Sequence, residues 1–269
     1  LKTTNPPESP VAWSGFSTGQ NPGKNGVFDF IVRDPKTYEL SLSLSKVSGN
    51  KALPVIRTKR FWQYASQKRI PTVILSCPVT FPPDKIHGRM LSGMGVPDIL
   101  GTEGTFSFYT TVPEKETETT GGKVFSLRKS DVMFTELMGP KVAGIKGASA
   151  NAKVPMKIAL RGTEGVDIEY QKKTLSVRPG QWSDWQTVVF DVGFMRKMSG
   201  VFKFYLVACD PEVKLYATPI NLDPRSPFFE ISYPADYSKK LADEIGLYRT
   251  QGMPFDTWAL NEKRIDEEV

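Results

Sequence analysis

The chain has 269 residues, of which 39% are hydrophobic and 24% charged, with a formal net charge of +6. That is too apolar for disorder and long enough for one large domain or a core with a smaller one; apolar runs such as Val73-Ile74-Leu75 and Val201 to Cys209 are strand-sized, well short of the roughly 18 residues of a membrane helix. Lysine and arginine are spread in short pairs such as Lys172-Lys173 and Lys239-Lys240, so the positive charge reads as solvated surface that tolerates anions, with no nucleic-acid groove evident.

In chain order, residues 1–112 read as α/β material. Val27 to Val32 is a short aromatic and β-branched run that stops at the turn Arg33-Asp34-Pro35, as a strand does. Thr58 to Gln67, carrying Phe61, Trp62, Tyr64 and Ala65, reads as a helix after the loop around Pro54. Ile70-Pro71 interrupts it, and Thr72 to Cys77 follows as a buried strand closed by Pro78, Pro82 and Pro83. Strand, helix, strand is the pattern of a doubly wound α/β sheet.

Composition shifts near Val112. Pro113 to Gly122 is a polar linker containing Glu116-Thr117-Glu118-Thr119-Thr120. Strand-like segments then recur: Lys123–Leu127, Val132–Met138, Val154–Leu160, Val166–Tyr170, Thr174–Val177, Thr187–Phe190, Val201–Ala208 and Lys214–Ala217. Short strands separated by Gly or Pro turns predict a β-rich, sandwich-like module over 113–225, inserted between two parts, 1–112 and 226–269, of the α/β core. Beyond the turn-rich Asp223 to Pro227, Ala235 to Ile245 predicts a helix with Gly246 as its C-cap. Asp256 or Thr257 caps a second helix, with Trp258, Leu260 and Ile265 apolar, that runs to Val269 without a stop signal.

Cys77 and Cys209 sit in apolar strand-like segments and read as buried free thiols. His87 is the only histidine and lies in the polar loop Asp84 to Arg89 without a partner at metal-ligand spacing, so a histidine-rich metal site cannot be built from this chain alone.

The segment with most chemistry is Ser9-Pro10-Val11-Ala12-Trp13-Ser14-Gly15-Phe16-Ser17-Thr18-Gly19-Gln20-Asn21-Pro22-Gly23-Lys24-Asn25-Gly26-Val27. A proline-rich loop carries a hydroxyl into a short helix, followed by a Thr-Gly turn and a second Gly-rich turn. Ser9 is therefore expected at or just before a helix N-terminus, exposed at the edge of a parallel sheet. There backbone N–H groups favour an anion and a bound metal lowers the hydroxyl's pKa. A plain N-cap is the competing role for Ser9.

This segment resembles the nucleophile motif of type I phosphodiesterase/nucleotide pyrophosphatase-like proteins of the alkaline phosphatase superfamily. Ser9 stands nine residues before Thr18-Gly19, Pro22 follows, and Asn25-Gly26-Val27 occupies the next turn. A bacterial branch is similar also at Asn21 to Lys24, Gly26 to Phe30, Arg33-Asp34-Pro35 with Tyr38, Pro78 to Pro83, and Gly88 to Gly93 through Val96-Pro97-Asp98. The likeness is strong over about residues 5–112, moderate over 247–262 and general in between.

The resemblance implies a phosphoric ester hydrolase with an alkaline phosphatase-like doubly wound sheet, a small phosphate-ester substrate, and Ser9 as catalytic nucleophile and metal ligand. Two divalent metals, expected to be zinc, complete the family's site. Its other ligands would lie before Leu1 and after Val269, so this stretch is expected to hold no metals and to be inert alone. The chain starting at Leu1 rather than Met agrees with an N-terminus lying upstream. Two positions depart from the wider family: Asn25 stands for a turn histidine and reads as structural, and Phe30 stands where nucleotide pyrophosphatases hold a phosphoryl oxygen with Asn. Lys24, Arg33 and Arg89 are candidate anion contacts. The alternative from another class is a non-catalytic binding or scaffolding protein whose β-module offers Trp182, Trp185 and Phe194 to a carbohydrate or protein. Substrate identity, compartment and oligomeric state are not legible in the sequence.

Overall fold

A computed structural model describes residues 2–44, 46–48, 51–113, 118–119, 121–143, 149–193, 196–252 and 257–266. Phe194, the cap expected at Asp256 and most of the polar stretch 114–120 lie outside the described residues. The elements in chain order begin with α1 (Ser9–Thr18), α2 (Pro22–Asn25), β1 (Ile31–Arg33), β2 (Leu40–Leu42), β3 (Lys46–Ser48), β4 (Lys51–Leu53), α3 (Phe61–Gln67), β5 (Thr72–Cys77) and β6 (Gly88–Ser92). Next come β7 (Phe106–Thr110), β8 (Glu118–Thr119), β9 (Gly122–Ser126), β10 (Val132–Ala143), β11 (Ser149–Leu160), β12 (Val166–Tyr170), β13 (Lys173–Val177) and β14 (Gln181–Trp182). The last are β15 (Gln186–Asp191), β16 (Lys197–Phe202), β17 (Phe204–Ala208), β18 (Lys214–Ala217), β19 (Asn221–Leu222), β20 (Ser232–Tyr233), α4 (Tyr237–Ile245) and α5 (Thr257–Asn261).

The doubly wound α/β sheet expected from the sequence is not formed. The protein is mainly β, with 38% strand and 15% helix in small, mostly antiparallel sheets. The cause is visible at β1. Of the expected strand Val27–Val32 only Ile31 and Val32 lie in β1, which extends to Arg33 and pairs with β2 of its own hairpin. Asp34 closes that hairpin: its carboxylate accepts the N–H groups of Lys36 at 2.7 Å and Thr37 at 3.0 Å. Local antiparallel pairing closes a shorter loop than a crossover to a parallel neighbour. Among the described residues, no helix is long and apolar enough to cross a membrane.

The chain divides into two compact units, Leu1–Val96 with Pro224–Met253, and Pro97–Asp223 with Pro254–Val269. The first holds the sheet β20-β6-β5, in which β5 and β6 run parallel and β20 is antiparallel to β6. Trp62 of α3 packs with Ile86 and Met90 on this sheet, and a second cluster joins Val27, Leu44, Ile56, Val79 and Met94. Buried Val79 adopts φ 58°, an unfavourable value for a β-branched residue, and its carbonyl is held by Arg60 Nη2 at 3.0 Å. The expected helix at 235–245 is α4, ended by Gly246 at φ 84°.

The second unit contains the sheet β14-β17-β18-β7-β9-β8, the meander β10-β11-β12-β13 and the sheet β15-β16-β19. Alternation works as expected in β12, where Val166, Ile168 and Tyr170 are buried and Asp167 and Glu169 are not. One core cluster gathers Phe106, Phe108, Val124, Tyr216, Ala259 and Ile265. The single strand expected at Val201–Ala208 is instead two strands in different sheets, broken at Lys203. Lys203 bonds Thr218 twice, through its N–H to Oγ1 at 3.1 Å and its C=O to N–H at 3.0 Å, while Phe202 and Phe204 are both fully buried. The terminal helix is also shorter than expected: α5 ends at Asn261, ahead of Lys263 at φ 56°.

Candidate functional site around Ser9

Ser9 is the first residue of α1, with Glu8 at the N-cap and Pro10 directly after it. Proline suits this position because its missing N–H would have had no intrahelical acceptor. The first helical bond runs from the Ala12 N–H to the Glu8 carbonyl at 2.8 Å; Pro10 has no N–H and Val11 is fully buried, so the Ser9 N–H is the one left for solvent or a ligand at this helix start. Ser9 is exposed, and its hydroxyl makes no hydrogen bond among the described residues. It is thus not acting as a side-chain cap. The main neighbours of α1 are α2 and α3, not the edge of a parallel sheet.

The rest of the motif is a scaffold for this helix. Val11, Ser14, Ser17 and Thr18 form its buried side. The Thr18 hydroxyl donates to the Ser14 carbonyl at 2.6 Å and accepts the Gln20 N–H at 3.2 Å. Gly19 ends α1 in the left-handed region at φ 62°, where a side chain is disfavoured. Asn21 then caps α2 by accepting the Lys24 N–H at 3.2 Å. Asn25 is fully buried, donates Nδ2 to the Gln20 carbonyl at 3.0 Å, accepts the Val27 N–H at 2.9 Å, and gives its own carbonyl to the Arg57 N–H at 2.9 Å. With both side-chain ends and its carbonyl engaged, Asn25 pins the second turn. Phe30 packs against the Val27–Leu44–Ile56 cluster.

The cations proposed from the sequence make no hydrogen bond or ion pair with Ser9 among the described residues. Lys24 is exposed on α2. The Arg33 guanidinium lies 5.9 Å from the Tyr38 ring centre, and that of Arg89 lies 5.6 Å from the Tyr237 ring centre. His87 is exposed, and its backbone N–H donates to Ser66 Oγ at 2.9 Å. Among the described residues, no group of three or more His, Cys, Asp or Glu is placed to hold a metal ion. In the second unit, Trp182 packs against Tyr205 at 5.1 Å and Tyr216 at 6.0 Å, and Lys203 lies 5.4 Å from the Trp185 ring centre.

Two polar clusters escaped the sequence reading. In the first unit, the Asp84 carboxylate accepts Arg60 Nη1 at 2.7 Å, Trp62 Nε1 at 2.7 Å and Gln63 Nε2 at 3.2 Å. Nothing in the spacing of Arg60-Phe61-Trp62-Gln63 points to a carboxylate more than twenty residues away. In the second unit, buried Asp98 accepts from the N–H groups of Leu100, Thr102 and Thr105 and from the Thr102 hydroxyl. The Asp98-Ile-Leu-Gly-Thr102 run is a turn signal that could have disclosed it. Burial, with the Asp98 charge behind it, pushes the Glu103 carboxyl up to about 7.

No family model, curated protein or solved structure matches the chain.

Proposed function

We propose that the protein cleaves phosphate esters, with the Ser9 hydroxyl as nucleophile. The observation that carries this reading is an exposed serine, unbonded among the described residues, at the first position of a ten-residue helix, where its own N–H has no intrahelical acceptor. The resemblance of residues 9–27 to a nucleophile motif supports the choice of Ser9 over other exposed serines.

In the first step, Ser9 Oγ bonds to phosphorus, the ester P–O bond breaks, and the serine proton leaves with the departing alcohol. Water then cleaves the phosphoserine, releasing phosphate or a monoester and restoring the hydroxyl. The helix end favours the phosphoryl oxygens throughout. The described residues do not fit the family's two-metal centre, so no step here passes through a metal.

The test is zinc-supplemented hydrolysis of bis(p-nitrophenyl) phosphate by the protein as it occurs in the cell. Turnover should vanish in Ser9→Ala and persist in part in Ser9→Thr, and acid-quenched wild-type protein should carry phosphate on Ser9 by mass spectrometry. Undiminished turnover in Ser9→Ala refutes the assignment.

A further inference from the structure

The sheet β20-β6-β5 ends on β5, which has no strand on its outer side among the described residues. The Thr72 N–H donates to the His87 carbonyl at 3.0 Å, and β5 and β6 pair in parallel with Thr72 opposite Gly88. In a parallel pair alternate residues bond the neighbour, so Thr72 and Ile74 face β6 while the N–H and C=O groups of Val73 and Leu75 point outward. Val73 and Leu75 are 60% and 57% exposed, and Ile70 just before them is 51% exposed.

Parallel strands are normally covered, and natural edges are blunted by lysine, proline or a bulge. From Thr72 to Leu75 there is no charge and no proline; Pro71 bounds this open stretch on one side and the irregularity at Ser76, φ 50°, on the other. The backbone therefore specifies what covers it: an extended chain with the spacing of a strand. Charge specifies one end of that chain. Lys68, Arg69 and Lys85 are exposed where β5 and β6 begin, and none of them forms an ion pair among the described residues.

We propose that the open edge of β5 is a docking site for an extended polypeptide segment, apolar at alternating positions and acidic at the end beside Lys68, Arg69 and Lys85. The segment adds a strand by bonding the outward groups of Val73 and Leu75 and covers their side chains. This inference is independent of the reading of Ser9.

The probe is a fluorescent peptide of alternating valine and threonine ending in two aspartates, compared with the same peptide ending in two lysines. On saturation with the aspartate peptide, hydrogen exchange at the Val73 and Leu75 amides should slow about tenfold, while the β6-bonded Ile74 amide is unchanged. The lysine peptide should bind about tenfold more weakly. Leu75→Pro, which removes an outward N–H and spares the bonds to β6, should abolish binding. If it disturbs the fold, Val73→Lys at the exposed edge serves instead and should weaken binding about tenfold. Unchanged exchange at saturating peptide, equal affinity for the two peptides, or wild-type binding by Val73→Lys each overturns the proposal. So does a peptide-free dimer in sedimentation that Val73→Lys dissociates, because the occupant would then be a second copy.

Discussion

Replacing Asp84 should be the most damaging single change to a polar side chain in the first unit. Its carboxylate binds Arg60 Nη1 at 2.7 Å, and the two side chains are only 3% and 12% exposed. Asp84→Ala leaves the guanidinium with the Val79 carbonyl as its remaining bond, on an arginine whose Nε already lacks a partner. Stranding one member of a buried ion pair costs about 3–5 kcal/mol, and the lost Trp62 hydrogen bond adds about 1 kcal/mol. Water can reach the cavity from the Asp84 side, which favours the lower end, so about 3 kcal/mol is expected. Asp84→Asn keeps the shape and can still accept from Trp62, and should lose about half as much. The assay is urea unfolding followed by amide exchange in β5 and β6, because the two units need not unfold together. Arg60→Met strands the carboxylate in turn, whereas Arg60→Met with Asp84→Ala removes both charges and should be less costly than the two changes summed. A loss below about 1 kcal/mol in Asp84→Ala, or a coupling below about 0.5 kcal/mol in the cycle, refutes this account.

Three further outcomes are expected. Glu103 titrates near 7 in the folded state against an ordinary 4.5, so the fold holds a proton that the unfolded chain releases. Its contribution is therefore fully present below about pH 4.5 and is lost as pH rises through about 7, by at most about 3 kcal/mol; Glu103→Gln should flatten that slope when unfolding midpoints are compared at pH 5 and pH 8. In β9, a methyl group on Gly122 would lie 2.1 Å from the Phe106 ring, so Gly122→Ala should cost about 2–3 kcal/mol in thermal unfolding, while Gly23→Ala, whose nearest contact is 3.4 Å, should change little. Ser9→Ala should leave stability within about 0.5 kcal/mol, judged by urea midpoint and near-UV circular dichroism, because the hydroxyl it removes is exposed and unbonded.

By itself the sequence determined what depends on neighbours within a few residues. Thr72–Cys77, Val166–Tyr170 and Lys214–Ala217 are strands with the expected bounds, since β-branched and aromatic runs between turn residues specify extended chain locally, although Thr72–Cys77 is not the buried strand expected and leaves Val73 and Leu75 exposed. Pro10 and Gly19 bracket α1, and Gly246 ends α4, because proline and glycine act through their own φ. The helical, exposed setting of Ser9 was legible for the same reason. Which strands pair, and in which direction, was decided only in three dimensions. A run such as Val201–Ala208 has the same apolar character whether it is one strand or two, and the break depends on Thr218, fifteen residues on. β1 was free to join a parallel sheet until the Asp34 turn returned the chain onto it. The Asp84 knot joins positions more than twenty residues apart, and Glu103 is raised, first by burial and then by the Asp98 charge, only once folding has removed water from its carboxyl. Strand pairing and buried charge are set by long-range contacts and desolvation, neither of which leaves a period or a spacing in the chain.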